Sequence, residues 1–214
     1  MGKTALLAGA TGLIGKQLLE LLLQSDRYST VKVVSRKPLE AKHGKLQNLV
    51  VDFDQLGSQP GALAADDVFC CLGTTIRKVK TQEAFRKVDY QYPLEVAQIA
   101  LRQGATQYLL VSALGANARS SIFYNRVKGE VEDAISHLGY QSLHIFRPSL
   151  LLGPRTETRS GEDAAKVFYK LFGFLFPLRY KAIESVKVAR AMLAFAQTEE
   201  PGIFFHESAE LQKF

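Results

Sequence analysis

Seven residues restrict the fold of this chain more than any others: Gly9-Ala10-Thr11-Gly12-Leu13-Ile14-Gly15. They follow a short apolar run, Thr4 to Ala8, and open a helical pattern from Ile14 to Gln24. A strand that passes through glycines straight into a helix is the start of a strand–helix–strand unit. Glycine permits a tight turn at position 9, close approach of backbone to a phosphate at 12, and close packing of helix on strand at 15. The free N–H groups and partial positive charge of the helix start, at Thr11 to Ile14, complete an anion site. The competing reading is a tight turn with no ligand. The strand before it and the helix after it favour the pyrophosphate of a dinucleotide.

The rest of the chain continues the alternation. Val31–Val34, Leu49–Val51, Val68–Leu72, Tyr108–Val111 and Leu143–Phe146 read as strands. Ala84–Arg102, stopping before Gly104, and Tyr124–Leu138, ending at Gly139, read as amphipathic helices. This predicts an α/β fold, a doubly wound parallel sheet with helices on both faces. After Pro148 the pattern loosens. Gly153 to Gly161 is polar, and "VFYKLFGFLFPLRY" reads as a helix broken at Gly173 and Pro177. A helix at Ser185–Gln197 and a strand at Ile203–His206 close the chain. At 214 residues this is one domain, 1–214, with a small lid or substrate region at about 153–184.

Composition excludes rather than selects. With 47% hydrophobic and 22% charged residues the chain is globular. Cys70 and Cys71 are neighbours in an apolar run with no metal-ligand spacing, and read as reduced core thiols. Together with an N-terminus unlike a signal peptide, they lead to the expectation of a cytoplasmic protein. No run is long enough to span a bilayer, so no membrane is expected. The net charge of +6 and the stretch "IRKVK" allow a nucleic-acid binder, but no nucleic-acid motif accompanies them, and none is expected as a partner.

An acid about twenty residues after the last glycine grips the ribose 2′-hydroxyl in NAD-binding folds. Here Ser35, Arg36 and Lys37 stand in that place. A guanidinium matches phosphate oxygens and an acid would repel them, so the sequence favours NADP(H), with a solvated basic turn as the other reading.

The spacing G-x-x-G-x-x-G, with "CLGTT", "VSALGA", Tyr124-x-x-x-Lys128 and "FRPSLLLGPR", resembles the extended or atypical short-chain dehydrogenases/reductases over nearly the whole chain. "CCLGTT" and "VKGEVED" resemble the Tat-interacting-protein-like branch, the oxidoreductase-like metastasis suppressors and their bacterial relatives. The resemblance implies that Tyr124 exchanges the proton at the substrate oxygen. It implies that Lys128 holds the nicotinamide ribose and that Ser112 holds the carbonyl. It places Asp52 and Phe53 against the adenine, where an ordinary turn is equally compatible. It runs Cys71, Leu72, Gly73 and Thr74 along the cofactor, and Pro148, Ser149, Leu150 and Leu151 beside the nicotinamide. Arg155 and Arg159 are placed in the lid, facing a phosphate, an anionic substrate or solvent. One departure stands out: Asp89 occupies the place where many family members carry a relay asparagine. The expected function is NADP(H)-dependent oxidation or reduction of a small carbonyl or alcohol substrate by a monomer or homodimer. The alternative is an NADPH-binding sensor with a protein partner and little turnover.

Overall fold

The computed structural model describes residues 2–58, 61–153 and 177–214. Seven parallel strands form one sheet: β1 (Lys3–Ala8), β2 (Tyr28–Ser35), β3 (Leu46–Val50), β4 (Asp67–Cys70), β5 (Gln107–Val111), β6 (Ser142–Arg147) and β9 (Gly202–Glu207). Their spatial order is β3-β2-β1-β4-β5-β6-β9. The chain starts in the middle, winds outward to β3, then crosses back beyond β1 to β4. That reversal opens a crevice at the carboxyl ends of β1 and β4, where ligands of such sheets sit.

Alternation along the strands supplies both faces with apolar groups. On one face Leu7, Phe69 and Leu109 meet Ile14, Leu18 and Leu22 of α1 (Leu13–Gln24), and Val188 and Met192 of α6 (Ser185–Ala196). On the other, Leu6, Val68 and Leu110 meet Val96 and Ala100 of α4 (Tyr92–Arg102), and Val131 and Ile135 of α5 (Phe123–Ser136). β5 is buried along its whole length, as a central parallel strand requires. Each fully buried leucine contributes about 1.5–3 kcal/mol of transfer free energy.

The helix expected over Ala84–Arg102 is not continuous. It divides into α3 (Gln82–Arg86), a π-helical turn (Lys87–Gln91) and α4, following the short helix α2 (Ile76–Val79). Pro93 explains the division. Its ring cannot donate to the carbonyl four residues back, that of Asp89, and crowds it. The wider turn absorbs the clash. β3 begins three residues earlier than its apolar core suggests, because Leu46 and Gln47 pair in register with Val31 and Lys32. Beyond β6, β7 (Leu151–Leu152) and β8 (Ile183–Glu184) form a two-stranded parallel ladder. The chain ends in α7 (Ser208–Leu211). Of the expected lid only Gly153 and residues 177–184 are among those described; Arg155, Arg159 and the kink at Gly173 fall outside them.

His144 on β6 and His206 on β9 are buried side by side, Nδ1 to Nε2 at 3.0 Å. His144 also meets Ser142 Oγ at 3.1 Å, and His206 meets Glu210 at 3.1 Å. Phe195, Phe204 and Phe146 surround the rings. Burial, then the neighbouring imidazole, pushes His144 down to about 4. Burial also lowers His206, against the pull of Glu210. Both folded values lie below the unfolded one, so the unfolded chain binds more protons on acidification. Stability is therefore complete above about pH 6.5 and falls toward pH 4. With partial screening the loss should be about 2 kcal/mol. Urea melts between pH 7 and pH 4 measure it. His144→Phe should flatten that slope, and an unchanged slope in the variant would refute the assignment.

Candidate dinucleotide and proton-transfer site

Because all seven strands are parallel, the loops following β1, β4, β5 and β6 emerge at one edge of the sheet. The glycine turn is the floor. Gly9 has φ 91°, a conformation favouring glycine, and a Cβ there would lie 2.5 Å from the Cys71 carbonyl oxygen. A Cβ on Gly15 would overlap the Gly9 carbonyl group, its carbon at 2.8 Å. Gly12 is different. Its φ is −78°, and among the described residues a Cβ there would meet only the Gly9 and Cys71 carbonyl oxygens, at 3.4 and 3.9 Å. The protein itself leaves room for a side chain at 12. The Gly12 N–H is spent on the Gly9 carbonyl at 3.0 Å, and α1 begins with no side-chain cap and no acid in its first turn. The start of α1 is therefore open to an anion. Ile14 keeps its side chain in the core, while Thr11 is exposed beside the turn and Leu13 half-buried.

At the end of β2 the three basic-turn residues divide. Ser35 is buried. Its hydroxyl donates to the Lys37 carbonyl at 2.7 Å and accepts from Asn48 Nδ2 at 2.8 Å. That bond spends the Ser35 donor within the turn. Arg36 and Lys37 are exposed. After β3, Asp52 is exposed and accepts the Asp54 N–H at 3.0 Å, while Phe53 is buried against Tyr92 with ring centres 5.2 Å apart. The Phe53 ring packs in the core.

The loop after β4 carries Cys71, Leu72, Gly73 and Thr74. The Cys71 N–H donates to the Ala8 carbonyl at 2.8 Å, fastening this loop to the glycine turn. Gly73 lies over a buried ion pair. Lys128 Nζ and Asp89 Oδ1 are 2.9 Å apart, and a Cβ on Gly73 would lie 3.4 Å from Asp89 Oδ1 and 3.9 Å from Lys128 Nζ. Asp89 Oδ2 accepts the Thr74 N–H at 2.8 Å. Burial disfavours the Lys128 ammonium, the Asp89 carboxylate more than offsets it, and the net shift is upward.

Tyr124 stands one helical turn before Lys128 on α5, its ring packed on Phe85 at 5.5 Å. Among the described residues its hydroxyl has no hydrogen-bond partner. Gly129 lets α5 press against the chain at Asn117 and Ala118, where any Cβ would overlap backbone. Ser112 does not join Tyr124. Its hydroxyl donates to Glu132, which Arg147 holds with two bonds at 3.0 and 2.6 Å. Glu132 lies eight residues beyond Tyr124, about 12 Å along the helix. The Ser112 hydroxyl, expected at the substrate carbonyl, is held in the structure by this buried ionic group. Glu132 was missed in the sequence, though its i+4 spacing from Lys128 put it on the same helix face.

The segment Pro148–Leu151 closes the edge. The Pro148 carbonyl accepts from the Leu114 N–H at 2.9 Å and that of Leu150 from Ile183 at 2.9 Å. The Ser149 hydroxyl donates to the Lys181 carbonyl and accepts from Ser208 at 2.9 Å, so it anchors residues 181–182 to the sheet. Leu150 is exposed and Leu151 lies in β7.

A parallel sheet wound in this order, with a glycine turn at its switch point, defines the Rossmann class of nucleotide-binding folds. Residues 5–170 match the NAD dependent epimerase/dehydratase family, and the chain belongs to that family. Among curated relatives it is 38% identical to protein HTATIP2 of Rattus norvegicus, over 89% of this chain and 80% of that protein. It is 32% identical to protein FMP52-1, mitochondrial, of Scheffersomyces stipitis, over 97% and 96%. Among solved structures it resembles MoeE5 in complex with UDP-glucose and NAD, with a TM-score of 0.72 at 16% identity over 94% of this chain and 74% of that one. It also resembles a short chain dehydrogenase family protein from Francisella tularensis, with a TM-score of 0.70 at 14% identity over 98% and 99%. These likenesses correct the expected cytoplasmic location, because the fungal relatives are mitochondrial by name. Reduced thiols fit any reducing compartment and never singled out the cytosol. No described helix is long and apolar enough to cross a membrane.

Proposed function

We propose that the chain is an NADP(H)-dependent oxidoreductase acting on a small carbonyl or alcohol substrate, with the whole chain as one domain and its lid in the region of about 153–184. The observation that carries the reading is position 12, where the fold tolerates a side chain yet glycine stands before an uncapped helix. The start of α1 would receive the pyrophosphate, Gly73 and Thr74 the strip toward the nicotinamide, and Lys128 its ribose. When bound, the cofactor supplies or accepts the hydride. Tyr124, whose hydroxyl has no hydrogen-bond partner among the described residues, would give the proton to the carbonyl oxygen during reduction and recover it from solvent. Charge stabilisation by the Lys128 ammonium favours the intermediate tyrosinate. The second reading, an NADPH sensor without useful turnover, is favoured by Ser112, whose hydroxyl serves Glu132 instead of a substrate.

Cofactor choice rests on Arg36 and Lys37 at the end of β2, in a place without an acid. NADPH at a hundredfold excess over Kd should stabilise the fold by about 2.7 kcal/mol. That is a melting shift of roughly 5–10 °C for a domain of this length. NADH at the same concentration should shift it less, and Arg36→Asp should reverse the order. Equal shifts by the two cofactors in the unaltered protein would contradict the NADP assignment.

A further inference from the structure

We infer that Asp89 is the positioning residue of this site: its carboxylate fixes the Lys128 ammonium beneath Gly73 and keeps it charged for a ribose. The inference rests on the proposed role of Lys128 and adds to it the group that holds the lysine in place.

Asp89 occupies the π turn, and Pro93 is the cause of that turn. The carboxylate is buried, as is the ammonium it meets. One oxygen is given to Lys128 and the other to the Thr74 N–H, so a single side chain ties α5 to the loop after β4. An ammonium has three protons to donate. Asp89 Oδ1 meets it as an ion pair at 2.9 Å, and among the described residues no other protein acceptor is bonded to the ammonium. Gly73 has no side chain to cover the pair from the crevice side. An asparagine here would accept from Thr74 equally well, but it would leave the ammonium buried without a countercharge. A buried ammonium without a partner loses its proton more readily. The titratable groups facing Lys128 are Asp89 from the π turn, Cys70 from β4 and Tyr124 from its own helix. Among the described residues Asp89 is the carboxylate that faces it.

The test compares two ligands, NADPH and 2′,5′-ADP, by calorimetry across pH 6 to 9.5. The smaller ligand lacks the nicotinamide half and cannot reach Lys128. In the unaltered protein both affinities should change together and only near pH 6, where the 2′-phosphate common to both ligands takes up a proton (second pKa about 6). In Asp89→Asn, NADPH affinity should fall about tenfold at pH 9 and little at pH 6, while 2′,5′-ADP affinity should be unchanged at every pH. Asp89→Glu keeps the charge but displaces the ammonium, so NADPH should weaken at all pH values and 2′,5′-ADP should not; this arm stands if the amide variant fails to fold. A merely structural Asp89 would weaken both ligands together or neither, and either result overturns the inference. If the unaltered protein binds neither ligand, the nucleotide reading itself falls and takes this inference with it.

Discussion

Tyr124→Phe should bind NADPH almost as the unaltered protein does while turnover falls about 10²–10⁴-fold, the usual contribution of a positioned general acid. The reason is local. The Tyr124 ring is held by Phe85, which the substitution keeps, and the hydroxyl that is removed has no hydrogen-bond partner among the described residues. Lys128→Ala should behave otherwise. It would remove the proposed ribose contact and leave Asp89 buried without its partner, so binding, turnover and folding should all suffer; breaking a buried pair costs about 3–5 kcal/mol. NADPH oxidation with aldehydes, ketones and quinones, beside calorimetry for each variant, separates the two outcomes. Full turnover in Tyr124→Phe would end the catalytic reading and leave the sensor.

The second large effect concerns the glycines, which should fail in different ways. Gly12→Val adds a branched side chain where the fold has room for a Cβ but the pyrophosphate would not. Folding should survive and NADPH binding should vanish. Gly15→Val drives its Cβ into the Gly9 carbonyl group, so α1 must move off the sheet and the protein should lose stability outright. Circular dichroism melts with calorimetry distinguish a folded non-binder from an unfolded chain. Unchanged NADPH affinity in a folded Gly12→Val would show that the turn does not hold the phosphates.

These expectations mark how far the sequence could be read. The glycine turn was legible because each glycine has a cause within a few residues: φ at 9, open space at 12, and helix packing at 15. Strand and helix order were legible because period-2 and period-3.6 patterns dictate faces locally. The bond from Ser112 to Glu132 lies beyond local pattern. Alternation along β5 sends Leu110 and Ser112 to the face covered by α4 and α5, and Val111 to the other. Which helix turn then meets Ser112 depends on how α5 lies, and Gly129 sets that by admitting the chain at Ala118. Asp89 was visible as a departure, but its partner was hidden by the π turn, whose widening follows from Pro93 and rotates everything before it. The Ser35 hydroxyl gives its proton to the Lys37 carbonyl and receives one from Asn48, a residue on the neighbouring strand that no count along the sequence would pair with it.

The central claim, that the glycine turn and the Tyr124–Lys128 face serve one nucleotide, is tested most directly by a crystal structure grown with NADPH. The account predicts pyrophosphate oxygens against the N–H groups at the start of α1, the 2′-phosphate at Arg36 and Lys37, and the Tyr124 hydroxyl facing the nicotinamide. A nucleotide bound elsewhere, or bound with the Tyr124 oxygen turned away from the nicotinamide, would contradict it.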